Sequence, residues 1–112
     1  MTHDELMQKH HKILNTTGGL EVSLGWYTLI DALCDDLQAL TDNFYHQQVE
    51  AIQVKSKFGG LRFYTKGHSD SQEVRINNAE RDSYQTCEMC GKPGKQHSTR
   101  GWVRTVCDAH SE

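Results

Sequence analysis

The 112-residue chain lacks long hydrophobic runs, internal repeats and low-complexity segments. No apolar stretch approaches the roughly 20 residues that a membrane-spanning helix needs, so we expect no contact with a membrane. Residues 1–12 are mostly polar and do not contain the apolar core of a secretory signal. The length of 112 residues predicts one domain. The unpaired cysteine Cys34 is typical of a protein in a reducing cytoplasm.

The signatures of common enzyme classes are also missing. The sequence has no nucleophile with an adjacent base, no glycine-rich phosphate loop and no HExxH pattern. Nucleases of the His-Asn-His type are built on a zinc knuckle, but their catalytic strand-and-helix motif is not recognisable in this sequence. We therefore predict a protein without enzymatic activity.

An excess of positive charge is missing as well. The chain has 12 basic and 15 acidic residues and a net charge of −3, unlike a strongly basic nucleic-acid-binding module. The charge is uneven, because residues 1–46 hold two basic and seven acidic residues, whereas residues 47–112 hold ten basic and eight acidic residues. This composition permits a basic face on the C-terminal part.

What the sequence does contain is a metal-ligand pattern in its last quarter. Cys87 and Cys90 are spaced C-x2-C, and after sixteen further residues Cys107 and His110 are spaced C-x2-H. Two such pairs can complete a tetrahedron around one zinc ion. The only proline lies in the turn after the first pair. We predict a structural zinc site, because four protein ligands leave no open position for a substrate.

Two alternatives to this ligand set stay open. Two of the three cysteines could form a disulfide and leave the third free. His97 could replace His110 as the fourth ligand, because His110 is close to the end of the sequence, where chains fray. The C-x2-H spacing favours His110.

Helical periodicity predicts helices at residues 2–14, 23–40 and 69–82. The middle helix has one apolar stripe, formed by Trp26, Leu29, Ile30, Leu33, Leu37 and Leu40. Asp31, Asp35 and Asp36 fall off the stripe and should face water. Cys34 flanks the stripe, and we interpret it as a small buried residue, because no obvious base accompanies it for a redox or catalytic role.

The outer helices have weaker patterns. Thr2 and Glu5 have the spacing of a capping box. His10 and His11 point away from each other on a helix, so we expect surface or boundary histidines rather than a chelate. The third helix has a narrow apolar side, formed by Val74, Ile76, Ala79 and Ser83.

Residues 47–66 alternate like a β-hairpin that turns at Gly59-Gly60. Its apolar side chains, expected to pack on the long helix, are Val49, Ala51, Ile52, Val54 and Phe58. Its other side would present Lys55, Lys57, Arg62, Tyr64 and Lys66. Such a face suits a phosphate, a stacked base or an acidic protein surface, and an ordinary solvated sheet face is the alternative.

Residues 101–106 alternate like a strand that leads into Cys107. With the knuckle before it, this strand predicts a zinc ribbon or a treble-clef-like unit. The predicted fold class is α+β, with helices packed on a β-hairpin or small antiparallel sheet. The single domain would comprise an acidic helical part (1–46), the hairpin (47–68), a helix (69–86) and the zinc-binding unit (87–112).

Several of these segments together resemble a known family. They are GWxxLIDxLC from Gly25, VKxKFGGLRFY from Val54, the CxxCG knuckle from Cys87, and Gly101-Trp102 with Cys107. In these segments the chain is similar to an uncharacterised family of small proteins encoded by bacteriophages, prophages and their bacterial hosts. The resemblance covers roughly residues 25–110, and it implies a bacterial cytoplasmic setting and a zinc site but no activity.

We therefore expect a zinc-stabilised protein-binding module, for example a phage factor that binds and modulates a host protein. A nucleic-acid-binding zinc module is the alternative. The candidate partner-binding residues are Lys55, Lys57, Arg62, Tyr64, Lys66, Trp102 and Arg104. A homodimer is also compatible with the sequence, because a half-apolar helix can pack against a second copy.

Overall fold

A computed structural model describes residues 1–111 of the chain. The helices are α1 (His3–Lys9), α2 (His11–Leu14), α3 (Tyr27–Asn43) and α4 (Asp70–Ser83), with short 3-10 turns at Leu24–Trp26 and Asp108–His110. The strands are β1 (Leu20–Glu21), β2 (Glu50–Lys57), β3 (Gly60–Lys66), β4 (Lys95–Thr99) and β5 (Trp102–Val106). The predicted α+β class is confirmed.

The strands form two separate sheets. β2 pairs with β3 as the predicted antiparallel hairpin, and β1 adds a short parallel strand beside β2, so the larger sheet is mixed. β4 and β5 form a second hairpin. β5 was predicted from its alternating residues, whereas β1 and β4 were not predicted, because neither of these two strands has a run of apolar residues.

The core forms around the predicted stripe of α3. Trp26, Ile30, Leu33 and Leu37 are buried, whereas Leu29 is half-buried. Cys34 is also buried, as predicted, and its burial raises the pKa of the thiol, which keeps it protonated. The stripe packs against the inward-facing residues of α1, α2, the hairpin and α4.

The N-terminal helix differs from its prediction at His10. The capping box of Thr2 and Glu5 is present, but α1 ends at Lys9 and α2 continues after a break. His10 is buried, and its Nε2 lies 2.6 Å from Oδ1 of Asp31. Lys9 donates to the same oxygen at 2.9 Å, so Asp31 serves as a tertiary partner rather than a solvated residue. The prediction of a surface or boundary histidine was wrong for His10, because its partner Asp31 lies 21 residues away in the sequence, whereas His11 is exposed.

The turn of the first hairpin lies one residue earlier than predicted. Lys57 pairs with Gly60, so Phe58 and Gly59 form a two-residue turn with φ of 52° and 81°. Both residues occupy the left-handed region that such tight hairpin turns require. Gly60 belongs to β3, where a side chain would collide with the ring of Tyr84. Phe58, predicted to pack on the helix, is instead 72% exposed.

A register shift moves Ile52 out of the core as well. The pairing of β2 and β3 is irregular between Ala51 and Gln53, which is the position of a β-bulge. The extra residue lets Ala51 and Val54 both face inward, whereas Ile52 is exposed. Simple alternation cannot anticipate this shift.

Helix α4 covers the outer edge of the hairpin. Leu61 and Phe63 donate their backbone N–H groups to Ser83 Oγ (2.9 Å) and a Glu80 carboxylate oxygen (2.8 Å). These hydrogen bonds satisfy backbone donors at the free edge of β3, which could otherwise pair with a strand of another chain. Val74, predicted on the buried side, is exposed, and Gln72 is buried in its place.

Leu33→Ala should lower the free energy of unfolding by about 2–5 kcal/mol, because truncating a buried leucine leaves a cavity. Chemical denaturation followed by circular dichroism measures this loss. Leu24→Ala removes the same atoms from an exposed side chain and should change stability by less than about 0.5 kcal/mol. Equal losses in the two variants would show that the stripe is not the core.

Asp31→Asn should lower stability at pH 7 by about 1.5 kcal/mol, the low end for a hydrogen bond to a charged group. Hydrogen bonds from His10 and then Lys9 hold the pKa of Asp31 below its ordinary value of 3.8. This stabilisation is complete above that value and is lost as the pH falls through the lower pKa of the folded state. Urea titrations should therefore show a smaller difference between variant and parent at pH 3 than at pH 7. A difference that does not change with pH would contradict the role of the charge.

Candidate metal centre and adjoining cleft

Two tight turns carry the predicted ligand pairs. In the first, Cys87 donates its N–H to the carbonyl of Lys92 (2.7 Å), and Gly91 donates to the carbonyl of Cys87 (2.8 Å). Gly91 has a φ of 83°, which favours glycine there. In the second turn, Cys107 follows β5 and His110 donates its N–H to the carbonyl of Cys107 (3.0 Å).

The structure brings Cys87, Cys90, Cys107 and His110 together, with one donor atom from each within 4.8 Å of all the others. The sulfurs of Cys90 and Cys107 are 3.7 Å apart, and Nδ1 of His110 lies 3.7 Å from the Cys87 sulfur and 3.2 Å from the Cys107 sulfur. Bond lengths of about 2.3 Å to sulfur and 2.05 Å to nitrogen imply tetrahedral edges of about 3.8 Å (S–S) and 3.6 Å (S–N). The observed edges are close to these values, so this donor set can hold a metal ion.

The structure contains neither of the two alternatives, a disulfide or His97 as the fourth ligand, within the described residues. The cysteines of the described chain are free thiols, and the 3.7 Å between Cys90 and Cys107 is far longer than a disulfide of about 2.0 Å. His97 lies on β4 opposite Arg104 and outside the cluster. Its Nε2 is buried without a hydrogen-bond partner among residues 1–111.

The electrostatics of the cluster favour a bound cation. Burial raises the pKa of the Cys87 thiol, but backbone N–H groups of Cys107, Met89 and Cys90 outweigh it and lower the pKa to about 6. For Cys90, the backbone N–H of Lys92 acts to lower the pKa, whereas burial and the neighbouring thiols together raise it. Hydrogen bonds between the thiols raise the pKa of Cys90 and help to lower that of Cys87, so the sulfurs share a proton that a metal ion could replace.

Hydrogen bonds to backbone carbonyls join the segment that carries Cys87 and Cys90 to the core. Gly25 donates its N–H to the carbonyl of Glu88 (2.8 Å), and the Trp26 indole donates to the carbonyl of Thr86 (2.9 Å). A side chain at position 25 would overlap the backbone of Cys87 and Glu88. The approach of α3 to the knuckle therefore requires glycine at this position.

The tip of the first hairpin packs against β5 of the second. The Thr105 hydroxyl donates to the carbonyl of Gly59 at 2.6 Å in a buried position. Residues of both hairpins and of the first ligand turn line a cleft of about 410 Å³, among them Phe58, Glu88, Trp102 and Arg104. Phe58 and Trp102 are 72% and 73% exposed, so two large aromatic side chains stand at the cleft.

Glu88 contributes the carboxylate of this cleft. The residue is 9% exposed, and its burial raises the pKa of the carboxyl, whereas the charge of Arg104 lowers it. Arg104 also donates to the carbonyl of His110 at 3.2 Å, which connects the cleft to the second ligand turn.

The five candidate partner-binding residues of the first hairpin differ in their surroundings. Lys55 lies opposite Arg62, and Arg62 donates to the hydroxyl of Tyr84 (2.9 Å) and packs over its ring. Lys66 lies 3.8 Å from Glu50 in an ion pair. Lys57 sits 5.8 Å from the centroid of the Phe58 ring, at the cleft. Arg62 and Lys66 therefore have internal partners, whereas Lys57 lies beside the exposed ring of Phe58. Tyr64 lies opposite Gln53 and is 41% exposed.

Trp102 and Arg104 were predicted as partner-binding residues from the sequence, whereas Phe58 and Glu88 were not. Phe58 was missed because the turn was placed one residue late. Glu88 lies between the two cysteines of the knuckle, and the CxxC spacing alone does not indicate its role.

Comparison with known proteins finds no matching family model, no matching curated protein and no matching solved structure. Within the described residues, no helix is both long and apolar enough to cross a bilayer. The chemistry of the cluster and the cleft therefore has to be inferred from the residues themselves.

Cys87→Ser and Cys90→Ser should each abolish the binding of one metal ion per chain and unfold the C-terminal unit, because metal affinity contributes directly to folding there. Elemental mass spectrometry gives the metal content, and thermal melts with and without chelator give the stability. Cys34→Ala is the matched control, since Cys34 is outside the cluster, and it should keep the metal. A Cys90→Ser protein that retained both metal and fold would contradict this ligand set.

Proposed function

We propose that the chain is a non-enzymatic binding module whose C-terminal unit folds around one structural zinc ion. Three thiolates and an imidazole at near-tetrahedral separations are typical of structural zinc sites. Four protein ligands leave no coordination position for water or substrate. The ion would therefore contribute stability to the surfaces around it rather than chemistry.

The order of elements supports a treble-clef-like unit rather than a ribbon. The knuckle at residues 87–92 is followed by the β4–β5 hairpin, and Cys107 lies at the start of the helical turn Asp108–His110. A treble clef has this order, with its last two ligands at the beginning of a helix. Here one 3-10 turn takes the place of that helix.

The partner that the geometry supports best is single-stranded nucleic acid. The observation that carries this proposal is the cleft, where the exposed side chains of Phe58 and Trp102 lie together with Arg104 and next to Lys57. Aromatic side chains stack on bases of any sequence, and cations beside them contact the backbone phosphates. An exposed tryptophan and phenylalanine at one site otherwise have an unfavourable contact with water.

The conformation of Phe58 supports a functional reason for this exposure. A bulky residue with a φ of 52° occupies a sparsely populated backbone region and costs free energy. Asparagine, aspartate or glycine would satisfy the same turn without that cost. A phenylalanine that is both strained and exposed is best explained by contact with a partner.

A host protein is the second candidate, and the phage-like resemblance motivates it. The observation in its favour is the end of α3, where Phe44 and Tyr45 are 73% and 97% exposed beside Asp42. Exposed aromatic residues are enriched at the centres of protein interfaces. A host protein or a second copy of the chain could occupy this surface.

Lys57→Glu and Trp102→Ala should each weaken the binding of a fluorescein-labelled 20-nucleotide oligothymidylate, measured by anisotropy at 50 mM salt. Loss of one stacking side chain should reduce affinity by about 5- to 150-fold. Binding by the parent protein should also weaken steeply with salt, because phosphate contacts release counterions.

The matched controls are Lys12→Glu and Tyr45→Ala, which make the same kinds of change at exposed positions outside the cleft. Neither should alter the affinity for the oligonucleotide. The proposal of a nucleic-acid partner would be wrong if the zinc-loaded parent showed no binding at low salt. If Tyr45→Ala alone abolished capture of a host protein, the second candidate would gain support.

A further inference from the structure

The carboxylate of Glu88 is the feature of the cleft that stacking alone does not explain. Its backbone is fixed on both sides, since the N–H donates to the carbonyl of Thr105 (2.9 Å) and the carbonyl accepts from Gly25 (2.8 Å). The residue is 9% exposed and lines the cleft. Within residues 1–111, no hydrogen bond reaches the Glu88 carboxylate, whose oxygens open to the cleft rather than being enclosed by protein.

Because no described residue supplies a hydrogen-bond donor to this carboxylate, a ligand that covers the cleft has to supply one. Burying a charged group is costly unless it is paired or hydrogen-bonded. The two carboxylate oxygens act only as acceptors, so the complementary group must present N–H or O–H donors. A rigid backbone holds this acceptor at the cleft and therefore makes it suitable for recognition.

Cationic ligands fit this cleft less well than a neutral donor. A carboxylate beside aromatic rings can bind an alkylammonium group. However, Arg104 lines the same cleft, and Lys57 lies over the ring of Phe58. These positive charges repel a cation and attract a phosphate, so the occupant should be flat, carry two adjacent neutral donors and bear a phosphate.

We propose that the cleft recognises a guanine base of a single-stranded nucleic acid, with Glu88 accepting from its Watson–Crick edge. Among the common bases, guanine alone presents two adjacent donors there, the ring N1–H and the exocyclic amine. Phe58 or Trp102 stacks on the base, and Lys57 and Arg104 contact the adjacent phosphates. The 410 Å³ volume lies within the range of small-ligand sites, about 300–1,000 Å³. This inference rests on the proposed single-strand binding.

The test uses oligothymidylates that carry one central guanine, inosine, adenine or cytosine, with anisotropy measured on the zinc-loaded protein at fixed salt. The parent should bind the guanine oligonucleotide about tenfold more tightly than the adenine one, a difference of about 1.4 kcal/mol. Inosine lacks the exocyclic amine and should fall between them. Glu88→Gln replaces one acceptor oxygen by a donor and should reduce the guanine-to-adenine ratio to about one.

Glu73→Gln, the same change at an exposed glutamate of α4, should keep the tenfold ratio. If the parent bound all four oligonucleotides equally, base recognition would be wrong and single-strand binding would stand. If no oligonucleotide bound, both proposals would fail. A Glu88→Gln protein with the parent's guanine preference, or one that lost zinc or thermal stability together with all binding, would also overturn the recognition role. Displacement of every oligonucleotide by polyglutamate, with no base preference, would indicate an acidic protein partner instead.

Discussion

The contact between Gly25 and the knuckle is the constraint on which the rest of the arrangement depends. One backbone hydrogen bond, from Gly25 to the carbonyl of Glu88, joins the beginning of the core helix to the segment that holds the metal ligands. It forms only because position 25 has no side chain, since a Cβ would overlap the knuckle backbone. The adjacent indole of Trp26 extends the junction by its hydrogen bond to Thr86. These two hydrogen bonds therefore hold the knuckle in a fixed position against the core.

A second contact, between Thr105 of β5 and the tip of the first hairpin, brings together the two hairpins that line the cleft. Thr105 of β5 donates to the carbonyl of Gly59 and also accepts the N–H of Glu88 with its own carbonyl. One residue thus positions the tip of the first hairpin and the acidic side chain of the knuckle. The cleft requires a folded C-terminal unit, because Phe58 comes from one hairpin and Trp102 from the other. A structural ion there would stabilise the proposed binding surface without contacting the ligand.

Local patterns predicted part of this molecule, and long-range contacts determined the remainder. The spacing within each ligand pair, the apolar stripe of α3 and the capping box of α1 depend on residues within a few positions of one another, and the structure contains all three. The burial of His10 depends on Asp31, and the burial of Gln72 depends on acceptors at Leu37 and Thr41. Hydropathy assigns such residues to the surface, because it does not include a distant hydrogen-bond partner. The exposure of Phe58 depends on hairpin register, which a shift of one residue reverses.

Long-range contacts also change what the net charge implies about the partner of the protein. A charge of −3 argues against an anionic partner only if the acidic residues lie on the surface in question. Several have internal roles instead, since Asp31 pairs with Lys9 and His10, Glu80 satisfies the edge of β3, and Glu50 pairs with Lys66. Among the described residues that line the cleft, Arg104 is accompanied by one carboxylate, that of Glu88, and Lys57 adds a second positive charge beside the ring of Phe58. A phosphate approaching the aromatic rings would therefore meet a local field that is more positive than the composition of the chain suggests.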